Sequence, residues 1–172
     1  MDKNFKEILT DIRAFVFDVD GVFTNGQISI DADGNMLRSY NVKDGLAVVY
    51  ALKKGYQIAI ISGGKGAQLE NRMRSLGIEH LYLQKDSKSE SLLHFSQDVA
   101  LPLSQILYMG DDYPDLAPMS MVRLAVAPFD AADVVRQNAH YTSSFKGGQG
   151  CVRDIIEQVL RSQGDWFDDQ LE

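Results

Sequence analysis

The chain has 172 residues, 45% of them hydrophobic, which suits one domain over 1–172 and is short for two. Its formal net charge of −7 gives no electrostatic footprint for nucleic acid or an anionic membrane, so we expect neither partner. One cysteine, Cys151, excludes an intrachain disulfide. Because no basic and apolar leader or apolar run of bilayer length is seen, we expect a cytoplasmic protein.

Short apolar runs alternate with longer amphipathic stretches along the chain. The runs are rich in β-branched or aromatic residues, mostly end near Gly, Asp or Ser, and predict buried strands. They lie at 13–20, 56–64, 79–83, 105–112 and 122–127. Helices are predicted at 44–55, 65–76, 88–99, 113–120 and 130–138. This order predicts a doubly wound, Rossmann-like α/β fold with a parallel sheet and helices on both faces.

Two segments lie outside this alternation. Residues 26–42 contain two alternating runs around Asp31–Gly34, which predicts a projecting β-hairpin. The Gly-rich segment 146–150 precedes a stretch with apolar residues at helical spacing, so its glycines could simply begin a helix. The apolar positions are Val152, Ile155, Ile156, Val159 and Leu160. The acidic segment 164–172 is expected to be a loosely held tail.

Polar residues fall at successive predicted strand ends, where ligands bind in open α/β sheets. These residues are Asp18, Asp20, Ser62, Gly63, Lys88, Asp111, Asp112 and Asp115. Each has an ordinary explanation when taken alone. An aspartate can cap a helix, a Ser-Gly-Gly run can be a loop, and a lysine can be solvated surface. Their occurrence together at one predicted sheet edge indicates a functional site.

The chemistry of such a site follows from its carboxylates. Crowded carboxylates repel one another unless a cation neutralises them, and oxygen donors select a hard ion. Mg²⁺ suits a site that also holds a phosphate. One carboxylate of the pair Asp18 and Asp20 can attack phosphorus while the other transfers the proton. Ser62 and loop amides can hold phosphoryl oxygens, with Lys88 and Mg²⁺ offsetting their charge.

The motifs DVDGVFT, ISGG, a helix-opening lysine and GDDYPD resemble the four motifs of the haloacid dehalogenase superfamily of phosphotransferases. The hairpin, NVKDGLAV, LENRMRSLGI and KGGQGCVRDI are similar to its capless subgroup that acts on 3-deoxy-D-manno-octulosonate 8-phosphate. The resemblance covers nearly the whole chain, and no segment is long enough for a separate cap domain. It implies a Mg²⁺-dependent phosphomonoesterase that hydrolyses this sugar-acid phosphate in lipopolysaccharide precursor synthesis.

The resemblance also implies roles for the three aspartates that would surround the reacting phosphorus. Asp18 would be the nucleophile that forms an aspartyl-phosphate. Asp20 would be the general acid and base. The backbone carbonyl of Asp20 would bind Mg²⁺ together with Asp18 and Asp111.

By the same resemblance, the remaining polar residues hold the phosphoryl group and support the metal. Ser62 and the amide of Gly63 would bind the transferring group. Lys88 would tie that group to Asp18. Asp112 and Asp115 would orient the metal waters and Lys88.

The sequence departs from the resemblance at two positions that concern the substrate. Many relatives carry arginine where this chain has Gly64 and Gln149, so neither position offers a guanidinium to a sugar carboxylate. Lys65 and Arg72 are the candidate anchors that remain, although Arg72 could equally be a solvated helix residue. The choice between this eight-carbon sugar and nine-carbon, sialic-acid-like 9-phosphates stays open.

Relatives in the subgroup form ring-like tetramers in which neighbouring subunits close the capless site. The hairpin at 26–42 and the Gly-rich segment 146–150 fit those roles, so a homotetramer is expected. A different class of function is a non-catalytic assembly module of a sugar nucleotidyltransferase system. The complete set of site residues favours the enzyme, and a mutase is disfavoured because such relatives usually carry a helical cap.

Overall fold

The computed structural model describes residues 5–84 and 87–167. The strands, in chain order, are β1 (Ala14–Phe17), β2 (Ser29–Ile30), β3 (Met36–Leu37), β4 (Gln57–Ser62), β5 (His80–Leu83), β6 (Ile106–Met109), β7 (Leu124–Ala127) and β8 (Tyr141–Thr142). The helices are α1 (Phe5–Leu9), α2 (Val42–Lys53), α3 (Ala67–Ser75), α4 (Lys88–Asp98), α5 (Leu116–Met119), α6 (Asp133–Asn138) and α7 (Cys151–Gln163), with 3₁₀ turns at Leu103–Gln105 and Tyr113–Asp115.

Six strands form one parallel sheet in the order β5-β4-β1-β6-β7-β8. The sequence AFVF of β1 is buried along its whole length, as expected for a strand that lies between two others and is covered on both faces. Chain order runs outward from β1 in both directions, so the loops after β1, β4 and β6 face one crevice. The predicted doubly wound fold is confirmed.

Successive side chains of β1 point to opposite faces of the sheet and pack into two separate hydrophobic cores. Phe15 and Phe17 pack with residues of α2, α3 and α7 on one face of the sheet. Ala14 and Val16 pack on the other face with residues of α4 and α6, including Phe95 and Val135. The period of two along a strand divides the apolar residues between these two layers.

The predicted hairpin is present and stands apart from the main sheet. β2 and β3 pair antiparallel, with Ser29 opposite Leu37 and Ile30 opposite Met36. The carboxylate of Asp31 accepts hydrogen bonds from the backbone N–H groups of Asp33 and Asn35, which closes the turn. Ile30 is 69% exposed, so this hairpin leaves apolar side chains uncovered.

The C-terminal helix is confirmed, but the expectation of a loose tail after it is wrong for 164–167. Trp166 is only 6% exposed and packs against Tyr50, and Asp165 accepts a hydrogen bond of 2.9 Å from the Tyr56 hydroxyl. Burial of the apolar surface of the Trp166 indole stabilises this segment more than the solvation of its acidic neighbours favours a loose chain. Residues 168–172 lie outside the described part of the chain.

The sequence reasoning missed α1 and β8. A strand of two residues carries no period of its own, and β8 forms because it pairs with Val126 and Ala127 of β7. The longest helix of the described residues, α7, has 13 residues, and within 5–84 and 87–167 no helix has the length and apolarity needed to cross a bilayer.

Candidate active site

Four loops bring the predicted polar residues together at one edge of the sheet. Asp18 directly follows β1, Ser62 ends β4, Lys88 begins α4, and Asp111 lies two residues after β6. They line a cavity of about 470 Å³. Its further lining residues include Asp20, Gly63, Gly64, Asp112 and Asp115. The structure therefore assembles all eight predicted strand-end residues around one cavity.

Lys88 is an internal cation rather than surface. Its Nζ donates to Asp18 Oδ2 at 2.6 Å and to Asp115 Oδ1 at 2.7 Å, and its side chain is 11% exposed. Ser87 caps the helix by accepting from the N–H of Glu90, which holds the first turn of α4 in place. The ordinary explanation of Lys88 as solvated surface is therefore wrong.

Asp115 is a fully buried hub. One oxygen accepts from Lys88 and from the Tyr108 hydroxyl, the latter at 2.8 Å. The other accepts from the N–H groups of Asp111 and Asp112 at 3.2 and 3.4 Å. These bonds fix the loop after β6, so Asp115 acts on its neighbours' geometry. Sequence reasoning missed Tyr108 because its place in an apolar strand looks like core.

Asp112 is exposed and begins the 3₁₀ turn at Tyr113–Asp115. Its carboxylate accepts from the Tyr113 N–H at 2.8 Å, and with Asp115 it forms a capping box. The interpretation of Asp112 as an N-cap is thus confirmed, here for the 3₁₀ turn. A role toward metal waters remains a prediction for this residue, which also lines the cavity.

The carboxylates outnumber the cation among them, and their pKa values reflect this. Burial raises the pKa of Asp18 to about 6, with repulsion from Asp115 adding to the effect and Lys88 opposing it. Burial, then repulsion from Asp18 and Asp115, raises the pKa of Asp111 to about 7. Burial alone would lower the pKa of Lys88, but attraction to Asp18 and Asp115 leaves it raised. The site thus has an unmet demand for positive charge.

The donor set fits a divalent cation. Asp18, Asp111 and Asp115 each offer a carboxylate oxygen, and these atoms lie within 4.8 Å of one another. The oxygens of Asp115 already accept several hydrogen bonds, which leaves Asp18 and Asp111 as the better ligands. Oxygen donors of this kind suit Mg²⁺. Gly21, with φ of +84°, permits the close approach: a Cβ there would lie 1.9 Å from Asp111 Oδ2.

The phosphate-binding prediction concerns the loop after β4. Ser62 is 3% exposed, and its Oγ accepts from the N–H of Gly64 at 3.1 Å, which curls the loop toward the cavity. Gly63 is exposed beside it and lines the cavity. The hydroxyl hydrogen of Ser62 and the loop amides are the donors that this edge can offer to an anion.

The two proposed sugar anchors lie farther out. Lys65 is exposed on the loop before α3, and the Arg72 guanidinium carbon lies 5.7 Å from the centre of the Tyr40 ring. Neither is among the described residues that line the cavity within this subunit. Their contact with a substrate remains a prediction. Arg72 is half-buried against Tyr40, so the interpretation of Arg72 as a solvated helix residue does not describe it fully.

Sequence reasoning also missed Arg38, which follows β3. Its Nε and one Nη donate to the two carboxylate oxygens of Asp20 at 2.7 and 3.0 Å. Its side chain is 4% exposed, against 30% for Asp20. The available signal was a basic residue directly after the hairpin's apolar pair Met36-Leu37, which is too weak to indicate a partner.

The Gly-rich segment contacts the loop after β1 of its own chain. The N–H of Gly148 donates to the Val22 carbonyl at 2.9 Å, and Cys151 Sγ lies 3.2 Å from the same oxygen. A Cβ on Gly147 would lie 2.1 Å from the Gly21 carbonyl oxygen. The helix-start reading is also right, because Gly150 precedes α7 directly. The segment therefore supports the loop that carries Asp18 and Asp20.

The fold and the site together define the class of protein, a phosphatase of the haloacid dehalogenase superfamily. The defining features are the parallel sheet, the strand-end aspartate pair, the aspartate cluster, the serine-glycine loop and the internal lysine. Comparison with known proteins gives the particular family. The chain is 35% identical over 153 residues to the 3-deoxy-D-manno-octulosonate 8-phosphate phosphatase KdsC of Escherichia coli K12, covering 89% of this chain and 81% of the relative. The chain belongs to this family of capless phosphatases. No protein-family model matches it.

Solved structures agree with this assignment. The phosphatase of the same name from Yersinia pestis superposes with a TM-score of 0.91 at 33% identity, covering 93% of this chain and 86% of that one. The enzyme from Moraxella catarrhalis, in complex with magnesium, phosphate and KDO, gives a TM-score of 0.90 at 29% identity, covering 94% of this chain and 92% of that one. The predicted fold and superfamily are both confirmed.

Proposed function

We propose that this protein is a Mg²⁺-dependent phosphomonoesterase that hydrolyses 3-deoxy-D-manno-octulosonate 8-phosphate to the free sugar acid and phosphate. The observation that carries the proposal is the Lys88 bridge between Asp18 and Asp115 at the edge of a cavity that Ser62 and Asp111 also line. The complex of the Moraxella relative with magnesium, phosphate and KDO supports the same chemistry here.

In the first half-reaction, Asp18 attacks phosphorus. Hydrogen bonds from the Val19 N–H (2.6 Å) and Lys88 orient its carboxylate. A bond forms between a carboxylate oxygen and phosphorus while the bond from phosphorus to the sugar oxygen breaks. The electron pair of that bond goes to the sugar oxygen, which takes a proton from Asp20. Ser62 and the Gly63 amide hold the equatorial oxygens throughout.

In the second half-reaction, the aspartyl-phosphate is hydrolysed. Asp20 takes a proton from water, whose oxygen attacks phosphorus as the bond to Asp18 breaks. Phosphate leaves and the Asp18 carboxylate is restored. Mg²⁺ held by Asp18, Asp111 and the Asp20 backbone carbonyl would neutralise charge on the phosphoryl group. Between the two half-reactions, Lys88 holds the Asp18 carboxylate in place through its hydrogen bond, and Asp115 in turn holds Lys88.

The sugar-acid specificity is testable by comparing substrates. Phosphate release with Mg²⁺ would be measured on the eight-carbon 8-phosphate, nine-carbon ulosonic 9-phosphates and simple sugar phosphates. We expect kcat/KM to favour the eight-carbon acid by ~100-fold, or roughly 2.7 kcal/mol of transition-state binding. A higher kcat/KM on a nine-carbon 9-phosphate would make that compound the proposed substrate instead. Equal, slow turnover of every substrate would count against a sugar-acid phosphatase.

The carboxylate of the substrate needs a cation, and Lys65 and Arg72 are the proposed sources. Arg72→Gln and Lys65→Gln should raise KM for acid sugars while leaving KM for neutral sugar phosphates unchanged. Arg123→Gln, in the turn before β7, serves as a control. An equal change in KM for acid and neutral sugars would contradict this assignment.

We also propose a homotetramer in which neighbours close the capless site. The uncovered apolar side chains of the hairpin, led by Ile30, support an intersubunit contact. Light scattering should give about four times the monomer mass of 19.2 kDa. A fully active species at the monomer mass would count against it.

A further inference from the structure

The chain leaving the hairpin returns to the active site through Arg38. Along this extended stretch the Arg38 side chain is buried and Tyr40 is half-buried, while Ser39, between them, is exposed. The alternation turns Arg38 toward the loop after β1, where its guanidinium meets the carboxylate of Asp20. The hairpin is thus tied to the residue proposed as general acid and base.

The contact is bidentate and sheltered. Nε and Nη donate to separate oxygens at 2.7 and 3.0 Å, and the Arg38 side chain is only 4% exposed. A planar fork that grips both oxygens sets the plane of a carboxylate as well as its position, which an ammonium cannot do. The rotation of the Asp20 side chain is therefore set by a residue 18 positions away in the chain.

A second contact holds Arg38 in place. Tyr40, two residues on, packs under the Arg72 guanidinium at 5.7 Å, and its hydroxyl oxygen is buried. This attaches the extended segment that carries Arg38 to α3, which packs in the core through Leu69 and Met73. The exposed hairpin tip is separated from Arg38 by β3.

We propose that Arg38 is a positioning residue that aims the Asp20 carboxyl at the leaving oxygen of the substrate. The inference rests on the proposed function, because it assigns a task within the same proton transfer. When Asp20 gives up its proton, the carboxylate that results accepts both guanidinium hydrogen bonds. Arg38 is a poor candidate for the substrate carboxylate, since that group lies at the far end of the sugar from the phosphate and this guanidinium is already paired.

The test compares leaving groups. p-Nitrophenolate departs with little help from a proton, whereas a sugar alkoxide needs one, and kcat/KM reports only the steps through phosphorylation of Asp18. For Arg38→Gln we expect kcat/KM to fall about 50-fold on the sugar-acid 8-phosphate, less than the ~10²–10⁴-fold of full general acid catalysis because Asp20 itself remains, and less than about 3-fold on p-nitrophenyl phosphate. For Arg38→Lys we expect kcat/KM on the sugar-acid 8-phosphate to lie between the values of Arg38→Gln and the wild type. The control Arg74→Gln removes an arginine from an exposed pair with Glu70 and should change neither substrate.

Three results would overturn the inference. An equal loss on both substrates, with a lowered melting temperature, would make Arg38 a structural anchor only. A higher KM confined to substrates with a carboxylate would make it a substrate contact. No loss on either substrate would remove the role. If Arg38→Gln does not fold, the same comparison is made with Arg38→Lys. Wild-type turnover that Asp18→Asn abolishes is established first, so failure of the proposed function is seen separately.

Discussion

The loop that carries Asp18 and the hairpin that follows it differ in how their side chains are satisfied. Asp18 is 7% exposed and is held by Val19 and Lys88, with Asp111 and Asp115 crowded beside it. The hairpin leaves its apolar residues open and is tied to the loop through Arg38. Each buried carboxylate of the loop is thus held by named hydrogen bonds or neighbouring charges, whereas the exposed apolar area of the hairpin is left for another surface. The difference predicts that changes in the loop, or at Arg38, affect chemistry, and that changes at the exposed apolar residues of the hairpin affect assembly.

The largest effect is expected from Asp18→Asn. The amide keeps the shape of the side chain but is no nucleophile, so kcat should fall by about 10⁴-fold or more. Because the change removes one charge from a crowded cluster, the metal-free melting temperature at pH 8 should not fall. Phosphate release and thermal melts measure both effects. Asp33→Asn, in the exposed hairpin turn, is the matched control, and substantial activity in Asp18→Asn would contradict the mechanism.

Lys88→Met should affect both activity and stability. It leaves Asp18 and Asp115 buried without their shared cation, a loss of about 3 kcal/mol in the free energy of unfolding. It should also lower kcat by about 100-fold, because charge on the phosphoryl group is less well offset. Urea unfolding and steady-state kinetics test this. Lys53→Met, at the exposed end of α2, should change neither; unchanged stability in Lys88→Met would contradict the bridge.

Without Mg²⁺, stability should fall as pH rises through the raised pKa values. The pKa of Asp18 rises from 3.8 to about 6 and that of Asp111 from 3.8 to about 7 on folding, mainly because of burial. Between these limits the folded state binds more protons than the unfolded state, so the free energy of unfolding decreases with pH. In a chelator we expect a melting temperature at least about 3 °C lower at pH 8 than at pH 5.

Added Mg²⁺ should reverse this loss at pH 8, because the cation binds the folded state. Asp111→Asn should flatten the pH dependence and weaken the rescue. A melting temperature that rises from pH 5 to pH 8 in chelator would contradict the charge balance of the site. Calorimetry with and without Mg²⁺ distinguishes these outcomes.

A moderate effect is expected from Gly147→Ala, which tests how the Gly-rich segment supports the loop after β1. The new Cβ would lie 2.1 Å from the Gly21 carbonyl oxygen and 2.7 Å from that of Thr24. Backbone must move to admit it, at about 1–3 kcal/mol of stability. Gly63→Ala is the stability control, since no atom lies within 4 Å of its added Cβ. Equal unfolding free energies for the two variants would contradict this packing.

The smallest effect on the subunit itself is expected at the hairpin. Ile30→Ser, at a side chain 69% exposed, should change the free energy of unfolding of the monomer by less than about 0.5 kcal/mol. It should nevertheless lower the oligomer mass in light scattering, because it removes apolar contact area. Ile58→Ser, the same change at 1% exposure in β4, should cost at least about 3 kcal/mol. An unaltered mass for Ile30→Ser would place the interface elsewhere.

Much of the site could be predicted because its polar residues stand at the ends of recognisable buried strands. Apolar runs such as AFVF, QIAII and QILYM mark buried parallel strands, and Asp18, Ser62 and Asp111 follow them within two residues. Arg38 and Tyr108 could not be found in this way. Arg38 looks like an ordinary hairpin cation, and Tyr108 looks like core. Their partners, Asp20 and Asp115, become visible only when distant segments meet.

The sequence by itself determined the order of strands and helices, the hairpin at 26–42 and the set of carboxylates with one lysine, because period, turn residues and spacing are local properties of a chain. The tertiary structure decided which oxygen each donor reaches, how strongly burial shifts the pKa of Asp18 and Asp111, and that Trp166 is buried after an acidic turn. These depend on the packing of the sheet between its two helix layers, since distance and burial set the energy of a charge and neither is encoded in spacing along the chain.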